Sequence, residues 1–196
     1  STKELAVFFS SRGSAYVCRI LDIPASSGYG EPLTKQFKFD DGETVVAALS
    51  LDPRVRPAAD THLVAVTRGG LAVRFALDAH AEVSTRNGRL FAKVSDGDGV
   101  LGVRVARGDA LLTVATSLGR SLTCRVDEIP VLQGPGKGVQ MLKLGEGDRM
   151  IGFAVGETLK VETDKGGTHE LGSGAADVTA RGGRGREVIK KGKLVR

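Results

Sequence analysis

The chain has 196 residues, a formal net charge of +5 and an isoelectric point near 9.4. No apolar run approaches the ~18 residues of a membrane span, and no signal peptide is visible, so we expect no membrane partner. Cys18 and Cys124 form no CxxC pair, which excludes a disulfide scaffold and favours the reducing cytoplasm.

Composition favours an all-β fold. The chain contains 27 glycines, about twice average usage, and only 5% aromatic residues. The apolar runs are short and are separated by glycines, and no apolar stripe follows the 3.6-residue period of a helix. We therefore expect many short strands joined by tight turns.

The first predicted unit covers residues 4–58. It begins with the strand "LAVFFSS" at Leu5, turns at Gly13 and continues with the strand "SAYVCRI". A loop then ends at Gly30, another turn is predicted at Gly42, and the strand "TVVAALSL" closes the unit. The stretch "LDPRVRPAAD", residues 51–60, is interpreted as a linker to the next unit.

The same plan recurs over residues 61–108, 109–157 and 158–196. "SSRGSAYVCRILDIP" and "TSLGRSLTCRVDEIP" align without gaps at an offset of 106 residues. The later first strands begin at Leu63, Leu111 and Leu159. In these three units the predicted hairpin-turn glycines are Gly70, Gly119 and Gly167. The glycines that end the following loop are Gly88, Gly138 and Gly185, and those of the last turn are Gly97, Gly147 and Gly192.

Four strands in a period of about 50 residues are typical of propeller blades. One such sheet cannot bury both of its faces alone, whereas neighbours arranged around an axis supply the missing surface. We expect a single domain of four visible blades over residues 1–196. Because the chain lacks an initiator Met and ends abruptly, we expect it to be a fragment of a longer subunit.

Motifs for small-molecule chemistry are weak. "GDGVLG" from Gly97 matches GxGxxG, but strand-like sequence follows it where a dinucleotide site needs a helix. "QGPGKG", residues 133–138, lacks the Ser or Thr of a P-loop. No GxSxG occurs, and the three histidines lack metal-ligand spacing. We predict no catalytic residue, no metal ligand and no cofactor, and we interpret Cys18, Cys124 and Tyr16 as packing residues.

The loops before the third strands carry cations. "STRNGR", "QGPGKG" and "ARGGRG" occupy equivalent positions, and residues 181–196 hold seven basic residues against Glu187. The glycines alone suggest turns, and the basic ending alone suggests a solvated tail. Cations in equivalent loops also fit a long polyanion such as duplex DNA. Candidate phosphate contacts are Lys35, Arg68, Arg74, Arg86, Arg89, Lys93, Arg120, Arg125, Lys137, Lys143, Arg181, Arg184, Arg186, Lys190 and Lys191.

The repeat resembles the C-terminal domain of the A subunit of bacterial type IIA topoisomerases, which are gyrase and topoisomerase IV. The resemblance rests on "LVAVTRGGLAVRFAL", "LLTVATSLGRSLTCRVDEIP" and "GKGVQMLKLGEGDRMIGFAV", and it covers the whole chain. "GEPLT" from Gly30 and the basic ending are more similar to topoisomerase IV. The gyrase box Q-[RK]-R-G-G-[RK]-G is incomplete, since "QGPGKG" lacks the basic pair and "ARGGRG" lacks the Gln.

The resemblance implies a β-pinwheel, a propeller-like disc of five or six blades that exchange strands and bend duplex DNA around the outer edge. It implies a cytoplasmic, nucleoid-associated subunit that joins its own catalytic core and an ATPase subunit in a heterotetramer. ATP and Mg²⁺ are expected only in that full enzyme. Two alternatives stay open: the DNA-wrapping domain of gyrase, and a protein-interaction propeller that binds a condensin-type partner.

Overall fold

The computed structural model describes residues 4–25, 27–28, 30–52, 54–55, 61–172 and 177–195. Most of the predicted linker "LDPRVRPAAD" lies outside these residues. Within them the regular structure consists of strands and four short 3₁₀ turns, at Ile20–Asp22, Leu33–Lys35, Leu77–His80 and Val126–Glu128. The all-β prediction is confirmed.

The strands can be grouped by the four sequence units, and the first unit has three strands among its described residues rather than the expected four. They are β1 (Leu5–Ser10), β2 (Ser14–Arg19) and β3 (Val45–Ser50) in the first unit; β4 (His62–Thr67), β5 (Leu71–Ala76), β6 (Arg89–Leu90) and β7 (Val100–Ala106) in the second; β8 (Leu111–Thr116), β9 (Arg120–Arg125), β10 (Val131–Leu132), β11 (Val139–Gln140) and β12 (Met150–Val155) in the third; and β13 (Leu159–Thr163), β14 (Thr168–Leu171), β15 (Arg186–Glu187) and β16 (Leu194–Val195) in the fourth.

Each of the first three sheets combines strands of two units, as the resemblance implied. The first sheet has the order β3-β1-β2-β6, the second β7-β4-β5-β11 and the third β12-β8-β9-β15, with antiparallel pairs throughout. β10 adds a short parallel pair to β5. The last strand of each order belongs to the following unit, so neighbouring units are tied together by backbone hydrogen bonds.

We call the pairing of an exchanged strand with the second strand of the preceding unit a seam. The first seam is β2–β6, the second β5–β11 and the third β9–β15. The register is the same in all three, because the first residue of the exchanged strand faces the second residue after the hairpin glycine. These pairs are Arg89 with Ala15, Val139 with Ala72 and Arg186 with Ser121.

The fourth sheet has the order β16-β13-β14. Among the described residues, β14 pairs only with β13, and no exchanged strand reaches it. The strands β3, β7 and β12 pack side by side at the other end of the sheets. We call these three strands the hub. The exchanged strands lie at the opposite, outer end of the first three sheets.

The core lies between units rather than inside them. Along β4, Leu63 and Ala65 pack against the first unit, while Val64 and Val66 pack against the third. All four are fully buried. A strand covered on both faces reads as a continuous apolar run, which explains the weak alternation in the sequence.

The predicted turn glycines adopt the left-handed conformation in every unit, with one change of position. In the fourth unit the residue with positive φ in the β13–β14 turn is Gly166, not Gly167. Gly166 donates to the carbonyl of Thr163, and the turn closes one residue earlier than the alignment suggested.

Candidate nucleic-acid interface

A glycine begins each exchanged segment. Gly88, Gly138 and Gly185 have φ of +69°, +81° and +66°. A Cβ on Gly185 would lie 2.5 Å from the carbonyl oxygen of Ser121, since the loop crosses directly over the second strand of the preceding unit. Backbone geometry therefore explains the glycine that directly precedes the exchanged strand in "QGPGKG" and in its copies.

A lysine lies four residues before the last turn glycine in each of the first three units, and its backbone enters the next seam. We call Gly88, Gly138 and Gly185 the seam glycines. In each case the lysine N–H donates to the carbonyl of the residue two positions before the next seam glycine. These hydrogen bonds join Lys38 to Arg86 (2.8 Å), Lys93 to Gly136 (2.9 Å) and Lys143 to Gly183 (2.8 Å).

Lys38 was missed by the sequence analysis. Counting five residues from the seam glycine leads to Lys93 and Lys143, and in the first unit the same count leads to Lys35. The 3₁₀ turn Leu33–Lys35 adds three residues to that unit, so Lys38 occupies the equivalent position. The turn that follows could have identified Lys38. The carbonyls of Asp40 and Ser95 accept the hydrogen bonds that close equivalent turns, and they lie two residues after Lys38 and Lys93.

The loop that meets each lysine carries a second cation. Each seam therefore places two basic residues from neighbouring units on adjoining backbone segments. We call these the seam pairs: Lys38 with Arg86, Lys93 with Lys137, and Lys143 with Arg184.

All six seam-pair side chains are exposed, and none makes an ion pair within 4.0 Å to another described residue. The backbones of the three lysines that precede the last turns are nevertheless fixed by the seam hydrogen bonds, and each second cation lies at or next to the residue that accepts the bond. Basic groups that are held in place and lack an acidic partner are available to an external anion, whereas a cation in a surface ion pair must first leave its partner.

Three predicted contacts are already engaged with carboxylates. Lys35 pairs with Glu31 at 2.8 Å, and Arg125 pairs with Asp127 at 3.1 Å. Arg186 donates from Nη1 to Asp177. Each of these cations is paired within its own unit, and none of them is a seam-pair member.

Four further arginines are held within the fold. Arg89 donates from Nη1 to the carbonyl of Ala79 (2.6 Å), and Arg120 donates to that of Gly185 (3.4 Å). Arg181 donates from Nε to the carbonyl of Glu128 (2.9 Å), while its N–H donates to the Glu128 carboxylate (3.0 Å). Arg181 thus holds the loop before β15 against the 3₁₀ turn Val126–Glu128 of the third unit. Arg74 is half-buried on β5.

The remaining candidates lie on other parts of the surface. Lys190 and Lys191 are exposed in the segment between β15 and β16. Arg68 lines a cavity of about 660 Å³ together with Arg149 and Lys193, which the sequence analysis did not single out. This cavity contacts β7, β12 and β16 and faces the hub, so its cations are separate from the seam pairs.

The two cysteines and Tyr16 are buried and have packing roles. Cys18 and Cys124 are buried and unoxidised, and burial raises the pKa of the Cys124 thiol to about 12. The Tyr16 hydroxyl donates to Glu43 (3.0 Å), and burial beside that carboxylate raises the pKa of Tyr16 to about 12. The turn acid Asp98 accepts from the N–H groups of Gly69 and Gly99, both at 2.7 Å.

Neither a metal site nor a membrane helix is found in the described part of the chain. It contains no group of three or more His, Cys, Asp or Glu side chains that could hold a metal ion. None of its helices has the length and hydropathy needed to cross a bilayer.

The strand exchange and the four-fold repeat agree with a known protein family. The sequence profile described as "DNA gyrase C-terminal domain, beta-propeller" matches residues 4–52, 61–107 and 111–156, which is well over half of the chain. The chain therefore belongs to the DNA gyrase C-terminal domain family. No curated protein sequence matches it significantly.

Solved structures show the same fold at low sequence identity. The C-terminal domain of a DNA topoisomerase IV superposes with a TM-score of 0.86 at 18% identity, over 98% of this chain and 62% of that one. The E. coli ParC C-terminal domain gives a TM-score of 0.81 at 22% identity, over 100% of this chain and 81% of that one. A DNA gyrase A C-terminal domain gives 0.72 at 18%, over 100% and 65%. The chain thus spans less than two thirds of the first of these structures.

Proposed function

We propose that this chain binds double-stranded DNA along the outer ends of its sheets, with the seam pairs as its main phosphate contacts. The observation that supports this is their repetition. At each of three successive seams an exposed lysine donates its N–H to a loop of the next unit, and that loop carries a second exposed cation; none of the six makes an ion pair with another described residue. A single small anion would need only one of these seams, whereas a duplex presents phosphates continuously.

Binding of this kind depends on counterion release and carries little sequence information. Each cation that neutralises a phosphate releases condensed counterions, while base edges stay unread. A curved row of contacts also favours bent DNA. Bending a 20–30 bp site costs about 1–6 kcal/mol, and contacts at successive seams offset that cost.

We further propose that the domain belongs to the A subunit of topoisomerase IV. There it presents a duplex to the ATP-dependent strand-passage core and influences which supercoils are processed. The incomplete gyrase box and the stretch "GEPLT" support this assignment. The alternative is the DNA-wrapping domain of gyrase, which the description of the family profile favours. In both cases ATP and Mg²⁺ act in other domains, and the subunit assembles with its core and an ATPase subunit near the nucleoid.

A salt titration tests the DNA-binding proposal. If all six seam-pair cations contact phosphates, the logarithm of the affinity for a 30 bp duplex falls against log[salt] with a slope of about −5. Duplexes of unrelated sequence should give the same slope. Absence of binding at low salt, or a slope near −1, contradicts the proposal.

A topology assay separates topoisomerase IV from gyrase. We expect the chain to bend linear DNA and to leave the linking number of a nicked circle nearly unchanged after ligation. A large change in linking number, with one sign, indicates chiral wrapping and supports the gyrase alternative.

A further inference from the structure

The first seam differs from the other two in its aromatic side chains. Two phenylalanines flank Lys38, whereas aliphatic residues flank the equivalent lysines of the second and third units. The equivalent residues are Phe37, Ala92 and Leu142 before the lysine, and Phe39, Val94 and Leu144 after it. Phe37 is buried and Phe39 is half-buried. The first seam therefore adds aromatic surface beside its two cations.

A cavity of about 370 Å³ opens at this seam. Its lining consists of the first seam pair, the two phenylalanines, Thr34 and Asn87. Lys38, Arg86 and Asn87 are all exposed. One concavity thus combines two cations, an amide, a hydroxyl group and aromatic surface.

Phe39 is supported by a buried ring of its own unit. It stacks on Tyr16, with the ring centroids 4.6 Å apart and an interplanar angle of 24°. Tyr16 is 2% exposed, and its hydroxyl donates to Glu43 (3.0 Å), so the supporting ring is itself held in place. An aromatic ring that is already ordered is a good platform for a ligand, because binding does not have to immobilise it.

The groups in this cavity match the parts of a nucleotide. Phosphate oxygens suit the two cations, and a base has a flat face that stacks on an aromatic ring. The Asn87 amide both donates and accepts, so it is able to bond to the polar edge of any base. In an intact duplex the bases are stacked on one another and paired. Only an unpaired nucleotide presents its face to such a site.

We propose that the first seam holds an unpaired base of the bound DNA. The adjoining phosphates contact Lys38 and Arg86, and the base packs against Phe39. The site rests on the proposed DNA-binding function and adds to it a preference for DNA that contains an unpaired nucleotide. The second and third seams carry the same kind of cations without an aromatic residue at the equivalent positions, so they contact the backbone alone.

The test compares three duplexes of equal length: one fully paired, one with a single bulged thymidine and one with an abasic residue at the bulge. Both bulged duplexes have the extra phosphate and the flexible joint, so their comparison isolates the base. We expect the 196-residue chain to bind the thymidine bulge at least about 5-fold more tightly than the abasic bulge.

The outcomes separate this site from the proposed function. Equal affinity for the two bulged duplexes, together with salt-dependent binding of the paired duplex, overturns the base site and leaves the proposed function standing. Absence of binding to all three duplexes at low salt contradicts the proposed function and the base site together.

The matched variant is Phe39→Leu, which introduces the residue of the third unit. It should reduce the preference for the thymidine bulge to less than about 2-fold and leave the affinity for the paired duplex unchanged. The control is Phe8→Leu, because Phe8 packs in the same cluster as Tyr16 but does not line the cavity. Thermal unfolding checks that both variants are folded. An undiminished preference in Phe39→Leu, or an equal loss in both variants, overturns the assignment of Phe39 as the stacking surface.

Discussion

The three internal seams and the ends of the repeat use the same glycines in different surroundings. Gly138 in the second seam has φ of +81°, and a Cβ there would collide with the carbonyl of Ala72. Gly30, at the equivalent position of the first unit, has φ of +76°, yet no atom of another described residue lies within 4 Å of where its Cβ would be. The left-handed conformation is therefore a property of the local turn, while the close approach depends on a neighbouring unit.

The hairpin turns show the same contrast. A Cβ on Gly119 would meet Ile189 of the exchanged segment, whereas Gly166 in the β13–β14 turn, with φ of +82°, has open space around it. β14 also carries backbone groups that are paired on one side only among the described residues. Both ends of the array thus retain the local form of a seam without its tertiary contacts.

Alanine substitution at Gly30 and at Gly138 measures this contrast directly. Gly30→Ala adds only the strain of a left-handed alanine, about 1–2 kcal/mol of unfolding free energy. Gly138→Ala adds the collision with a backbone carbonyl, so we expect a total loss of about 3 kcal/mol or more. Denaturant unfolding of the two variants gives the comparison. Equal losses would show that Gly30 is also covered.

A second test concerns His80, which lies among the aromatic side chains of the first two units. Because its folded pKa of about 4 lies below the ordinary value of 6.5, protons bind the unfolded chain preferentially between these values. Stability is full above pH 6.5 and is lost as the pH falls towards 4. From pH 7 to pH 5 we expect a loss of about 2 kcal/mol from this group.

The control for this test is His80→Ile. It removes the titrating group and puts in its place the aliphatic residue that the third unit buries at the equivalent position, Ile129. The difference between the two proteins isolates the histidine from the carboxylates that also titrate near pH 5. The same pH dependence in both proteins would contradict a buried, neutral His80.

Hydrogen exchange examines the open edge of β14. Its outward amides lack a partner among the described residues, whereas β9 is paired on both sides, so we expect exchange at least 10-fold faster in β14. The measurement compares residue-resolved protection factors at one pH. Equal protection would mean that another strand covers β14 in solution.

The sequence was sufficient to predict the repeated fold because glycines recur at fixed places in every unit. The exchanged strands β6 (Arg89–Leu90) and β11 (Val139–Gln140) are only two residues long, and each passes directly into a short apolar run that gives a weak strand signal. Their position on a neighbouring sheet came from the family resemblance, since local sequence does not specify which edge a short strand will join.

The candidate site was less predictable, for two physical reasons. Lys38 was displaced from its expected place by the three-residue 3₁₀ turn in the first unit, so counting along the chain selected Lys35. Arg181 looked available for DNA, but its guanidinium group is held by the carbonyl of Glu128, 53 residues earlier. Such long-range partners cannot be read from one sequence.

The central claim is that placement at the seams, rather than overall charge, produces DNA binding. Two triple variants test it at the same net charge of +2: Lys38→Gln with Lys93→Gln and Lys143→Gln, and the control Lys35→Gln with Lys160→Gln and Lys165→Gln. Each starts from +5 and loses three positive charges. In the control, Lys35 and Lys160 already pair with Glu31 and Glu170.

The decisive measurement is the salt dependence of duplex affinity for the two triple variants. We predict that the seam variant loses at least 10-fold in affinity and that its slope against log[salt] becomes shallower by about 3, while the control stays close to the wild type. Equal losses in both variants would contradict the account, because net charge alone would then explain the binding.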